Sequence, residues 1–280
     1  MIGSLADLLR RAWARGSGRW GVALLLVMAL IAVAAPPFLE DPAEMPDVVA
    51  GATAPTAAHP FGTDHLNRDV LSRVVWGTRV SLAVAGLAVL LALTVGTAIG
   101  LVAGFFGGWV DSLLMRIVDA ALAIPRLFVL LLLLVVWERV PLSALILVLG
   151  TTGWFSTARL VRGEVLRLKH EPFVTAAIAL GATAWTTITR HLLPNAAGPV
   201  LVAATLGVGD VILLESGLSF LGLGVQPPTP SWGGMVLEAR PLLLSAPWTA
   251  IFPGAAIVVT VLAVNLLGDA LSAALDPRSA

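Results

Sequence analysis

The chain contains no cysteine, which excludes disulfides, thiolate nucleophiles and cysteine metal sites and leaves redox compartment unreadable from cysteine usage. Histidine is almost as scarce: His59, His65, His170 and His191 are the whole set. No two have the H-x-x-x-H spacing of a metal pair, so they read as loop or interface residues and no metal site is expected. Charge is sparse too, with 12% charged residues and a formal net charge of zero over 280 residues. The cations are spread along the chain, which leaves no electrostatic footprint for nucleic acid. No Gly-x-x-x-x-Gly-Lys-Ser/Thr run occurs, so the chain has no phosphate-cradling loop with which to hold ATP. Gly222-Leu223-Gly224 lacks the third glycine and the strand-to-helix setting of a dinucleotide fingerprint and reads as a loop corner. No nucleophile with a nearby base sits in an apolar run, which argues against a membrane hydrolase. Neither a catalytic residue nor a bound cofactor is expected.

What the chain does have is apolar length. Hydrophobic residues make up 58% of it and the mean hydropathy is +0.94, far outside the range of soluble domains. The fold class expected is an all-α membrane protein with six transmembrane helices. Residues 1–19 carry Arg10, Arg11, Arg15 and Arg19 and form a cytoplasmic flank to a first span over 20–39. Ala32-Val33-Ala34 resembles a signal-peptide cleavage site, but the run is long enough to cross and more spans follow, so an uncleaved anchor is expected. Residues 40–79 shift to Pro, Asp, Thr and Ala and read as an extracytoplasmic loop. Within it Val70, Leu71, Val74 and Val75 fall at helical spacing and predict an interfacial helix beside the membrane, capped by Thr63 or Asp64.

Residues 80–280 then form a core of five spans. No charge interrupts 80–110, and Gly104 with Gly107-Gly108 supplies a turn after a span over 80–103. The remaining spans are expected near 111–137, 141–158, 196–215 and 248–267. Between the last two lies a proline-stiffened outward loop, 219–247, containing Gln226, Pro227 and Trp232. Six spans put both termini on one side. Most Lys and Arg fall on that side, against Arg68, Arg73, Arg79, Arg139 and Arg240 on the other. The positive-inside rule makes the termini cytoplasmic.

The polar interlude 165–195, and Glu171 to Pro194 in particular, behaves as a handle between two apolar runs. Pro172 suits a first helical position and Glu171 suits the positive end of the helix dipole. Phe173 to Leu180 predicts about two turns of helix ended by Gly181 in the left-handed conformation. A second short helix is expected from Trp185, with Pro194 and Asn195 at the start of the next run.

Ionisable residues inside apolar runs are costly and line an aqueous path or pair with one another. Arg126 and Asp210 lie at about the same expected depth, and Asp119 lies one heptad before Arg126 on the same helix face. Arg126 is therefore expected to face the pathway or bundle interior, neutralised by Asp210 or Asp119; a buried pair that only fixes register stays open beside it. Glu215, near the outward end of its span, reads as a gate or loop anchor. Asn265 and Asp269 read as helix-packing and boundary residues.

The handle resembles the cytoplasmic Glu-Ala-Ala loop of the inner-membrane permease subunits of bacterial ABC importers, whose pattern is Glu-Ala-Ala, three residues, Gly, nine residues, then Ile-x-Leu-Pro. Ala176, Ala177, Gly181, Leu193 and Pro194 stand at the matching positions. Thr175 stands where the pattern has Glu, and His191 where it has Ile. HPFGTDHLNRDVLSRVVWGTRVSL from His59, LSFLGLGVQPPTPSWGGM from Leu218, PWTAIFPG and NLLGDALSAALDPR resemble the dipeptide, oligopeptide and nickel branch, in its C-type subunit. The resemblance spans nearly the whole chain and implies a type I importer permease fold in the bacterial inner membrane. It also implies a homologous second permease, two cytoplasmic ATPase subunits carrying ATP and Mg, and an extracytoplasmic substrate-binding protein. Under it Glu171, Pro172, Phe173, Thr175, Ala176, Ala177, Gly181 and Pro194 couple to an ATPase, with Thr175 leaving the grip to shape and apolar contact. Peptides are the substrate expected. The alternatives are a nickel complex or another small solute carried by the same architecture, and a proton-coupled secondary carrier using Asp119, Arg126, Asp210 and Glu215 as a relay.

Overall fold

The structure, a computed structural model, describes residues 5–35, 38–39 and 51–275. The start of the expected extracytoplasmic loop and the last residues of the tail lie outside the described residues. Among the described residues the chain is helical and carries no strand, only an isolated bridge between Thr63 and Asp69. The order is α1 (Leu5–Ala14), α2 (Gly16–Ala34), α3 (Val70–Phe106), α4 (Gly108–Leu122), α5 (Arg126–Leu134), α6 (Leu142–Lys169), α7 (Pro172–Ala179), α8 (Ala184–Thr187), α9 (Leu193–Phe220), α10 (Trp232–Glu238) and α11 (Trp248–Leu275). Among the described residues five helices are long and apolar enough to cross a membrane, and α4 with α5 makes a sixth span if the bent pair is counted as one.

Several expectations change. The interfacial helix over residues 70–79 does not stand apart: these residues are the first turns of α3, which runs unbroken for 37 residues. Charge ended at Arg79, but backbone hydrogen bonding does not follow charge, and Val70, Ser72 and Arg73 are buried, with Arg73 paired to Asp64 of the preceding loop and Glu238 of α10. The cap is Asp69, whose carboxylate accepts from the Ser72 N–H at 2.7 Å, while Thr63 and Asp64 belong to the preceding loop. The second handle helix is likewise not separate. Residues Ala184–Phe220 form one 37-residue rod, with a π turn over Ile188–Leu192 just ahead of Pro194. There the Leu193 N–H reaches back to the Ile188 carbonyl. Slack of this kind lets a helix carry the proline, whose nitrogen cannot donate and whose ring crowds the preceding turn. The span over 111–137 is broken by an 81° bend between α4 and α5, at Ala123-Ile124-Pro125, because the residue before proline is pushed out of the helical region.

In a bilayer no hydrophobic force drives helix against helix, so close backbone approach and dispersion must do it. On α3, Gly96, Gly100 and Gly104 form a stripe at four-residue spacing against α6. A Cβ at these positions would lie 2.6 Å from Thr157 Cβ, 2.6 Å from the Ala158 carbonyl and 2.8 Å from Val165. α6 can sit where it does only because the stripe is bare. Gly104 therefore packs within the helix, and the turn falls to Gly107 and Gly108, both at positive φ (66° and 55°). α2 closes on α11 in the same way, at Gly21.

The apolar core divides by depth. One cluster joins α3, α5, α6 and α9 to the loop around Trp232; Val84, Leu130, Leu145, Ile212 and Leu218 are its centre. A second, under α7, holds Leu101, Val161, Val165, Leu168, Val174, Leu192 and Ala196. A third seats α1 on the end of α11.

Candidate functional site

Three features sit on this frame: a corner at the α7 end, a charged cavity in the middle, and a locked cap at the α10 end. The corner is built as the sequence led one to expect. Pro172 opens α7, and Gly181 ends it with φ +86°. The Ala182 N–H bonds the Ala177 carbonyl and the Gly181 N–H bonds that of Ile178, each at 3.0 Å, the paired closure that a left-handed C-terminal residue permits. Val174 is buried in the second cluster, which packs α7 with α6, the π turn and α9. Around it the apolar surface is open: Ile178 and Leu180 are exposed, Phe173 is 40% exposed with its ring 6.4 Å from that of His191, and Trp185 just beyond the corner is exposed. Thr175 Oγ1 donates to the Pro172 carbonyl at 3.0 Å. Ala176 and Pro194 are exposed and Ala177 is half-buried. The one carboxylate at the corner, Glu171, accepts from Arg167, which also holds Glu164. α7 thus presents an apolar surface without a free acid on its rim.

The cavity encloses about 190 Å³ between α3, α5, α6 and α9. Arg126 and Asp210 both line it, with Gly153, Ser156, Thr157 and Gly207. Arg126 owes its position to the bend, which makes it the first residue of α5. Its guanidinium donates to Asp210 Oδ2 at 3.0 Å, to the Leu149 carbonyl at 2.7 Å and to Thr152 Oγ1 at 3.3 Å. Room for it comes from Gly153, where a Cβ would lie 3.0 Å from Nη2. The Asp210 side chain remains 62% exposed while that of Arg126 is 27% exposed, so the pair has a fixed cation and an open anion.

Of the four charged residues singled out, the structure brings only these two together. Asp119 lies before the bend and cannot share a helix face with Arg126; it accepts from Arg159 of α6 instead. Glu215 is 1% exposed and does not line the cavity. One of its oxygens accepts from Ser219 Oγ at 2.7 Å, and it packs among the serines beneath α10. Its setting is thus the foot of the loop and not the cavity. Sequence reading missed Asp111, which receives two hydrogen bonds from Arg162 at 2.7 and 2.6 Å. With Asp119 and Arg159, this pair ties α4 to α6.

At the other end the outward loop is a lid on the bundle. Trp232 is fully buried. Its indole N–H donates to the Val74 carbonyl at 3.1 Å and its backbone N–H donates to Ser81 Oγ at 3.3 Å. Trp232 thus holds the loop down and leaves no surface of its own exposed. Gln226 is half-buried and turns back onto the Gly222 and Gly224 carbonyls; Pro227 is exposed. The segment before α3 is fastened to α10 by four charges: Asp64 accepts from Arg68 at 2.8 Å and Arg73 at 2.6 Å, and Glu238 accepts from both at 2.8 Å. Burial opposes ionisation of Asp64, but the Arg68 N–H, the Arg73 and Arg68 guanidiniums and the Leu66 N–H outweigh it and hold the carboxyl below its usual range. Phe61 stacks on Phe252 at 3.8 Å, and the Trp248 indole donates to the Thr63 carbonyl at 3.1 Å.

Apolar spans around a charged cavity, with an exposed apolar corner at one end and a lid at the other, fit a multi-pass membrane permease. Residues 96–280 match the family described as the binding-protein-dependent transport system inner membrane component, and the chain belongs to that family. It is 43% identical over 224 residues to the dipeptide transport system permease protein DppC of Alkalihalophilus pseudofirmus, covering 80% of this chain and 73% of that one. To the glutathione transport system permease protein GsiD of Pectobacterium atrosepticum it is 44% identical over 227 residues, 80% and 74% of the two chains. To the oligopeptide transport system permease protein OppC of Bacillus subtilis it is 38% identical over 258 residues, 92% and 84%.

Proposed function

We propose that this chain is one of two homologous permease subunits of an ATP-driven importer of small peptides. The observation that carries the reading is the α7 corner: a short helix pinned by Val174, closed by Gly181, and leaving Ile178 and Leu180 exposed. Such a surface fits a cleft in a cytoplasmic ATPase, with one ATPase under each permease and ATP with Mg held there. On this reading the termini are cytoplasmic, as the excess of Arg on that side favours. The α10 lid faces outward, where an extracytoplasmic binding protein delivers substrate. The relatives' names favour dipeptides, oligopeptides or glutathione as cargo. A fixed guanidinium beside an open carboxylate suits solutes carrying both a carboxylate and an ammonium, more than it suits a nickel complex. The relay of a proton-coupled carrier finds less support, because Asp119 and Glu215 stand apart from Arg126 and Asp210.

Reconstitution of the chain with its partner permease, ATPases and binding protein into vesicles tests this. Radiolabelled dipeptide should accumulate only with ATP and binding protein, and collapse of a pH gradient should leave uptake unchanged. Uptake that persists after ATP depletion overturns the proposal.

A further inference from the structure

Six arginines, Arg68, Arg73, Arg126, Arg159, Arg162 and Arg167, each hold a carboxylate. Arg10, Arg11 and Arg19 hold none among the described residues, and all three are exposed. They sit on a hinge of two helices whose shape decides what can meet them. α1 lies against the end of α11, burying Leu8 and Ala12 on Ala270, Leu271 and Ala274. Arg15 fastens the hinge by donating to the Ala273 carbonyl at 3.1 Å, where the last turn of α11 leaves carbonyls open and favours a cation. α2 then turns back against α1: a Cβ on Gly18 would run into the Ala12 carbonyl. Arg19 is thereby held beside the end of α1.

With α1 seated, its remaining surface is part apolar and part basic. At 100° per residue Leu9 and Trp13 lie together, Arg10 lies next round, opposite Leu8 and Ala12, and Arg11 lies on the remaining flank. Leu9 is 49% and Trp13 53% exposed, so this apolar strip is uncovered beside Arg10. On α2 the positions 19, 26, 30 and 33 share one face, and Leu26, Leu30 and Val33 on it are all more than half exposed. Arg19 is therefore the polar end of an apolar stripe facing outward from the bundle, and Trp20 beside it is 70% exposed.

We propose that the α1–α2 hinge binds an anionic phospholipid. Arg10 and Arg19 take the headgroup phosphate, Arg11 adds long-range attraction, and Trp13 and Trp20 sit at the headgroup level. The acyl chains lie along Leu26, Leu30 and Val33. Charge complementarity selects the lipid, because unpaired guanidiniums bind phosphate strongly and a zwitterionic headgroup offers no net charge to them. Continuity with the spanning face of α2 selects lipid over a soluble anion, since the apolar strip needs a tail as well as a phosphate.

The purified transporter complex would be titrated with phosphatidylglycerol or with phosphatidylcholine of the same chains, and retained lipid counted by native mass spectrometry. Phosphatidylglycerol should be retained in preference, and preference should fall as salt rises. R10Q/R11Q/R19Q should weaken its binding by about fivefold per arginine removed, leaving phosphatidylcholine unchanged. The salt titration on the unaltered protein stands even if that variant fails to assemble. Equal retention of the two lipids, or displacement of phosphatidylglycerol by millimolar inorganic phosphate, overturns the proposal. So does a photo-crosslinker at Trp13 that captures another subunit in place of lipid.

Discussion

Arg126 has three hydrogen-bond partners and Asp210 has one oxygen engaged, so the two members of the pair are not equivalent. Removing Asp210 leaves a cation that still has a carbonyl and a hydroxyl; removing Arg126 leaves an open carboxylate with no cation beside it. If the pair meets the solute, Arg126→Ala should lower peptide uptake about tenfold or more, the scale of a lost charged hydrogen bond. Arg126→Asp combined with Asp210→Arg should recover part of it. Uptake by Arg126→Ala at the unaltered rate would remove the pair from the pathway, and a double variant no better than either single one would remove the pairing. These two residues were legible because a charge within an apolar run is conspicuous. Gly153, Thr152 and Ser156 were not, since small residues inside a helix announce nothing about the side chain they make room for. Asp119 was misplaced for a different reason. Its heptad relation to Arg126 assumed one straight helix, and Pro125, a plain breaker in the sequence, had already cancelled it.

At the scale of elements, the spans and the handle were readable from apolar length and from the Pro172 and Gly181 signals. Their boundaries were not. α3 starts ten residues before the uncharged stretch, because its first turns exchange lipid for the buried side of a loop. The rod after the corner swallowed the second handle helix, because a π turn lets a helix pass a proline. Gly181 is the element-level test. A β-branched side chain at φ +86° is strained by about 1–2 kcal/mol. Relief of that strain would open the closure by Ala182 and swing α7 away from its seat. Gly181→Val should keep the spans inserted and ATP hydrolysis running while uptake per ATP falls several-fold, measured on the same vesicles. Unchanged coupling in Gly181→Val would mean that the corner does not transmit force.

For the whole molecule, the lid matters because it joins the segment before α3 to α10 through one buried cluster of charge. Asp64 ionises more readily in the folded lid than its ordinary value of 3.8. A carboxyl depressed in this way adds stability that is complete above that value and is lost as pH falls through the lower, folded one. Hydrogen exchange of residues 51–69 should therefore stay slow down to about pH 4 and quicken below it. Asp64→Asn should loosen the segment at neutral pH, since removing one partner from a buried pair costs about 3 kcal/mol or more. Exchange that ignores both the acid and the substitution would show that Phe61 on Phe252 and the two indole bonds hold the lid alone. None of this cluster was foreseen: Arg68 and Arg73 were counted only as charges on one side of the membrane, and their partner Glu238 lies some 170 residues along the chain.

The rod Ala184–Phe220 has 37 residues, about 55 Å at 1.5 Å per residue, against a hydrocarbon layer of about 30 Å. It begins at the corner, passes Asp210, and ends under the lid. A beam that overhangs its support on both sides is a lever. If the Arg126 bond is the fulcrum, the arm toward the corner is about 39 Å and the arm toward the lid about 15 Å. The mechanical advantage is then nearly three: a push of a few ångströms at the corner arrives at the lid as a smaller, more forceful displacement.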